Sequence, residues 1–145
     1  MEEQELIKKY NIDIDKLKEE QLKLAKRISL DDKIDFSLSD RFGAFMNIFL
    51  ENKILSCAIV CNKNFEVLDM AYFYDKARFP YLSEFRAYRE LPAMIEAFNK
   101  LNEKPDVVFI AAQGITHLRL GLASHFSLVA GVPAIGVANV INDCE

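Results

Sequence analysis

The stretch "FIAAQGITHLRLGLASH", residues 109–125, has the form in which α/β proteins place their chemistry. An apolar run ends, a turn follows at Gly114, and His117 and Arg119 stand just before a helix-forming segment. Histidine can move protons or hydrogen-bond, and arginine meets anions. A second stretch, "FPYLSEFRAYRE" (79–90), sets Arg86, Arg89 and Glu90 close to Tyr81. A carboxylate such as Glu90 can hold a hard cation. A tyrosine such as Tyr81 can stack on a base. The apolar run nevertheless ends in Ala111 and Ala112, with no carboxylate at the strand end. Asp35, Asp40 and Asp106 are further acids near apolar runs. Each of these residues also has an ordinary reading: Tyr81 as a rim aromatic, Arg89 and Glu90 as a structural pair, His117 and His125 as packing or capping groups, Asp35 as a loop acid.

A series of helices and strands must position these groups. Residues 1–28 are charged and helix-prone, with Asp13 or Asp15 as cap and Leu17, Leu24 and Ile28 on one face. "FGAFMNIFL" (42–50), "KILSCAIVC" (53–61) and "FEVLDMAYFY" (65–74) are apolar runs with short polar breaks, the pattern of an antiparallel meander. The apolar content of the first two implies strands covered on both faces. Because proline is tolerated in a first helical turn, Pro92 places the start of the next helix near Leu91, after a short turn at 83–90. Its stripe is Leu91, Met94, Ile95, Phe98 and Leu101. "DVVFIAA" (106–112) reads as a buried parallel strand. "LRLGLASHFSLVAG" reads as a helix ended by Gly131, and "AIGVA" as a last strand. Three strands followed by helix, strand, helix, strand is the ribonuclease H-like α/β order, a mixed sheet with an N-terminal helix. No GxGxxG supports a dinucleotide fold.

At 145 residues, 51% hydrophobic, the chain suits one domain with a sizeable core. A net charge of −4 argues against a strongly basic nucleic-acid coat. No uninterrupted apolar run of ~18 residues is present, so no membrane span is expected. The polar start carries no signal-peptide pattern. The three cysteines, Cys57, Cys61 and Cys144, are an odd number and read as reduced thiols, with Cys57 and Cys61 on one face of a strand. Together these make a soluble cytoplasmic protein the expectation.

The motifs now carry a resemblance. "FPYLSEFRAYRE" resembles Pro-Tyr-Val/Ile-Pro-Gly-x-Leu-x-Phe-Arg-Glu of the endonuclease V family. "PDVVFIAAQGITHLRLGLASH" (105–125) resembles its Pro-Asp-(apolar)-Asp-Gly-x-Gly-x-x-His-Pro-Arg-x-x-Gly-Leu-Ala-Ser-His. "GVPAIGVAN" (131–139) resembles x-x-Pro-x-Ile-Gly-Val-Ala-Lys, and "EEQLKLAKRISLDD" (19–32) resembles the family's N-terminal helix. The resemblance implies a ribonuclease H-like nuclease that incises near inosine in DNA or RNA, a repair activity using magnesium or manganese held by carboxylates. It makes residues 1–145 one shortened domain, with a helical segment 1–30 and a core 42–139, because the family pattern continues beyond Glu145.

Set against the family pattern, the ligands are depleted. The second carboxylate matches Glu90, the expected catalytic residue. The third falls on Ala111. For the first, two placements compete: Asn47 in "FGAFMNIFL" and Asp35 in "KIDFS". Spacing and strand period favour Asn47. Asn139 stands at the family's lysine, Ala112 at a glycine and Gln113 at a common histidine. The resemblance therefore implies a protein without metal-dependent cleavage, with no metal ligand set and no cofactor. The wedge residues Pro80, Tyr81 and Leu82, with Arg89, Gly114 and His117, remain as candidate contacts to DNA or RNA, weakly bound. Two alternatives stay open. One is an active magnesium- or manganese-dependent nuclease using Asp35, Glu90 and Asp106 or Asp40. The other is a protein-interaction module, in which a second copy or a partner covers what the shorter chain leaves bare.

Overall fold

The structure is a computed structural model, and it describes residues 2–139. Cys144 lies outside the described residues. The chain opens with α1 (Glu3–Lys9) and α2 (Ile14–Ala25). Asp13 caps α2, its side chain accepting the Lys16 amide at 3.0 Å, which chooses between the two capping aspartates. A 3-10 turn at Phe36–Leu38 leads into the meander β1 (Phe42–Leu50), β2 (Lys53–Cys61) and β3 (Val67–Lys76). Another 3-10 turn, Ser83–Phe85, opens α3 (Arg86–Lys100); then come β4 (Val107–Ile110), α4 (Leu122–Ala130) and β5 (Ala134–Gly136).

The five strands form one sheet in the order β3-β2-β1-β4-β5. β1, β2 and β3 are antiparallel neighbours, whereas β4 runs parallel to β1 and β5 parallel to β4. This is the ribonuclease H-like order read from the alternation of runs. Helices α3 and α4 cover one sheet face. Phe45, Ala58, Val60, Val108 and Ile110 meet Met94, Phe98 and Phe126 there in a single core. Burial of side chains of this size is the dominant favourable contribution to folding. Gly131 closes α4 in the left-handed conformation (φ 68°), as its position predicts.

Three readings need correction. Helix α3 begins at Arg86, not near Leu91, so Pro92 lies inside it. Proline removes one intrahelical hydrogen bond. The turn before it survives because Ala87 and Glu90 are buried and Arg86 pairs with Glu90 one turn on. The segment 118–121 is not helical; α4 starts only at Leu122. Nor are β1 and β2 covered on both faces; the bare face continues onto β3. Met46, Ile48, Met70, Tyr72 and Tyr74 are exposed on the face away from α3 and α4. Among the described residues no helix is long and apolar enough to cross a membrane.

Candidate functional site

β1 and β4 are parallel, with Phe45 beside Ile110. Past that pair, Asn47 on β1 and Ala111 after β4 come to the same end of the sheet. The first two turns of α3 bring Arg86 and Glu90 over them. Together with Tyr81 and Leu122 these residues line a cavity of about 410 Å³. The segment carrying Tyr81, the strand end and the helix thus meet at one cavity. Asn47, not Asp35, faces Glu90: its Nδ2 donates to Glu90 Oε2 at 2.8 Å. Asp35 instead caps its own 3-10 turn, accepting from the Ser37 amide at 2.9 Å and the Ser37 hydroxyl at 2.6 Å. Those bonds hold its carboxyl below the usual carboxylate range. Asp106 sits at the opposite end of β4 and accepts the amides of Asp40 and Arg41.

Glu90 is 3% exposed. A carboxylate that deep needs a partner, because an uncompensated buried charge is costly. Arg86 supplies it: Nε donates to Oε1 at 2.8 Å and Nη2 to Oε2 at 3.3 Å. The bond to Glu90 holds the Arg86 guanidinium protonated more firmly than usual. Asn47 therefore turns its N–H toward the carboxylate, and its Oδ1 is left buried without a partner.

These residues do not fit a divalent cation. Magnesium and manganese want several hard oxygen ligands, usually more than one of them a carboxylate. The cavity offers one carboxylate, with both oxygens already engaged by Arg86 and Asn47. Ala111 contributes no side-chain donor. Among the described residues no three His, Cys, Asp or Glu side chains converge as a metal site.

The remaining candidates divide. Tyr81 is 61% exposed at the cavity rim, but Leu82 is core and Pro80 is buried. Arg89 does not reach Glu90. Its Nη1 donates to the Phe79 carbonyl at 2.6 Å and its guanidinium lies 4.5 Å from the Phe49 ring centroid. It thereby fixes the segment that carries Tyr81. His117 faces the loop before α4, where its Nδ1 accepts the amides of Arg119 at 3.0 Å and Leu120 at 3.1 Å. Burial and then Arg119 hold it below its ordinary pKa. Gly114 has room for a side chain, with ordinary contacts only. The close approach is at Gly121, where a Cβ would lie 2.1 Å from the Gln113 carbonyl oxygen. His125 packs edge-on against Tyr88 inside the core. Cys57 and Cys61 are free thiols on β2, and Asn139 follows β5 at the surface.

The sequence reading missed the pairing of Arg86 with Glu90 and the role of Gln21. Arg86 falls at the leucine of the motif, and its four-residue spacing from Glu90 on one helix face is the signal for their pairing. Gln21 is 0% exposed. Its Nε2 donates to the Glu84 carbonyl at 2.9 Å and its Oε1 accepts from Arg119 Nε at 2.7 Å. It ties α2 to the segment leading into α3 and to the loop before α4. A lone glutamine in a charged helix gives no pattern to find it by.

A family model described as Endonuclease V matches residues 22–142. The Bacillus subtilis Endonuclease V structure is 27% identical, with 92% of this chain covering 60% of that one at a TM-score of 0.80. The catalytic domain of human Endonuclease V is 25% identical, with 90% of this chain covering 61% of that one and a TM-score of 0.82. Endonuclease V from Ciona intestinalis, solved with a 24mer DNA containing an inosine followed by a ribo-adenosine, shares the fold at 24% identity and a TM-score of 0.83, over 90% of this chain and 59% of that one. This chain spans about 60% of the length of these solved structures.

Proposed function

Since the chain belongs to the endonuclease V family, we propose that it binds nucleic acid and does not cleave it through divalent ions. The observation that carries this reading is Glu90, pinned between Asn47 and Arg86, opposite an alanine at the end of β4. Metal-assisted hydrolysis needs an ion to polarise the phosphate and to supply hydroxide near neutral pH. A single engaged carboxylate cannot gather that ion. Removing members of a site that acts as a unit removes most of its rate. A nuclease with rearranged ligands would need Asp35, Asp40 or Asp106 beside Glu90. Asp35 and Asp106 are committed to backbone amides elsewhere.

Binding rests on what the site keeps. Tyr81 stands exposed beside the cavity, held there by Arg89 through Phe79. An exposed aromatic offers a stacking platform worth ~1–3 kcal/mol per base. The relative from Ciona intestinalis carries an inosine-containing DNA on the same fold. The N-terminal segment and the core act as one unit, joined through Gln21, in a reducing cytoplasm where Cys57 and Cys61 stay free thiols.

The test pairs two assays on inosine-containing single-stranded DNA and RNA. Incubation with magnesium or manganese is expected to leave the strands intact. Fluorescence anisotropy at low salt is expected to show binding, weakened by Tyr81→Ala. Manganese-dependent cleavage that Glu90→Ala abolishes would overturn the first half. Absence of binding to every strand would overturn the second.

A further inference from the structure

We propose that Arg86 takes the place of the divalent cation at this site and is the group that meets a strand's phosphodiester. This rests on the nucleic-acid reading above. Three positions around one cavity depart from the family motif together: Asn47, Ala111 and Arg86. The first two remove cation ligands. The third brings a permanent cation to the carboxylate that is left. A leucine at position 86 would leave Glu90 buried with only Asn47 as partner. The arginine makes the pocket independent of bound metal.

The geometry suits a phosphate. Among the described residues the only hydrogen-bond acceptor of the Arg86 side chain is Glu90, which engages Nε and Nη2. A guanidinium carries five N–H donors in a planar fork, so donors remain for a ligand. The side chain is about one-third exposed and lines the cavity beside Tyr81. Glu90, fixed in turn by Asn47, orients the fork before any strand arrives. Phosphate held by such a fork accepts strong, charge-assisted hydrogen bonds. The guanidinium stays protonated and carries no exchangeable water, so it can hold the diester without generating a nucleophile.

Anisotropy titrations across a salt series in EDTA test this, with inosine-containing single-stranded DNA and RNA as probes. The variants are Glu90→Gln, which takes the charge of the competing carboxylate away from the fork, and the double variant Arg86→Gln/Glu90→Gln, which removes both charges and leaves two polar side chains able to hydrogen-bond each other. Wild-type binding is expected to persist in EDTA and to gain nothing from magnesium. Glu90→Gln is expected to tighten it. The double variant, shown folded by its melting curve, is expected to bind about tenfold more weakly, with the slope of log K against log salt shallower by about one. A merely structural role for Arg86 would not move that slope. Wild-type affinity and slope in the double variant, or wild-type binding only when manganese is added, would overturn the inference while leaving nucleic-acid binding standing. A wild-type protein that binds neither strand overturns the functional reading itself.

Discussion

Glu90 and Arg86 sit one turn apart on α3, yet they differ in how far the sequence reveals them. Glu90 stands in an Arg-Glu pair at the end of a motif, so its place near the strand ends is readable. Its partners are not. Asn47 and Asp35 lie in different elements, and only the strand register brings one of them to Glu90. Spacing favours Asn47, and in the structure Asn47 Nδ2 lies 2.8 Å from Glu90 Oε2. The energetic weight of the pair gives a direct prediction. Arg86→Leu restores the residue of the motif but strands a carboxylate that is 3% exposed. Breaking a fully buried pair costs ~3–5 kcal/mol. Arg86 is partly exposed, so a loss of about 2–3 kcal/mol is expected once screening is allowed for. Arg86→Gln/Glu90→Gln is expected to lie within about 1 kcal/mol of wild type, because a neutral pair replaces an ionic one. Urea unfolding of the three proteins measures both values. Equal stability for Arg86→Leu and wild type would mean that Glu90 finds another partner.

At the scale of elements, the strands and the C-cap of α4 are legible because their signals are local: apolar runs of strand length, polar breaks and a glycine. Helix boundaries are less so. Pro92 argues for a late start of α3, but the Arg86–Glu90 pair and the burial of Ala87 add the missing turn. The loop before α4 shows a tertiary effect of the same kind. Its sequence is helix-compatible, yet it stays irregular. His117 Nδ1 accepts the Arg119 and Leu120 amides, and the Arg119 side chain bonds to Gln21 and Glu84. Those contacts come from α2 and from the 3-10 turn before α3, distant in sequence. The loop carries a pH dependence whose sign is fixed. An acceptor Nδ1 requires an unprotonated imidazole nitrogen, and burial with Arg119 nearby lowers the His117 pKa from 6.5. His125 is lowered too, chiefly by burial. Stability from a lowered group is complete above the unfolded-state pKa and is lost as pH falls through the folded-state value. The protein is therefore expected to lose stability on acidification from about pH 7.5 toward pH 5. His117→Asn keeps an acceptor oxygen and does not titrate, so part of that slope is expected to disappear. Denaturant melts at the two pH values decide it, and an unchanged slope in the variant would remove His117 from the account.

The molecule as a whole departs most from its sequence pattern on the sheet face opposite α3 and α4. Continuous apolar runs in β1 and β2 imply cover on both sides, and the hydrophobic pattern holds no information on whether the second cover is present in the chain. Here it is not, among the described residues. Cross-strand rows share that face: Phe109, Ala44, Ile59 and Met70 in one, Met46, Cys57 and Tyr72 in the next, Ile48, Leu55 and Tyr74 in a third, with Ala44 and the β2 residues half-buried between exposed neighbours. Met70 is 68% exposed and Tyr72 65%. Monomeric proteins rarely leave apolar patches beyond a few hundred Å² uncovered. An apolar fluorescent dye is therefore expected to bind the folded protein, before any denaturant is added. Met70→Lys with Tyr72→Lys is expected to cut that signal severalfold. Because these side chains pack against no second layer, the double variant is expected to stay within about 1 kcal/mol of wild-type stability. Dye fluorescence read alongside urea melts separates a bare face from a loosened core. A folded wild type that ignores the dye would show the face to be covered in solution. A double variant that unfolds would show that Met70 and Tyr72 already serve as packing.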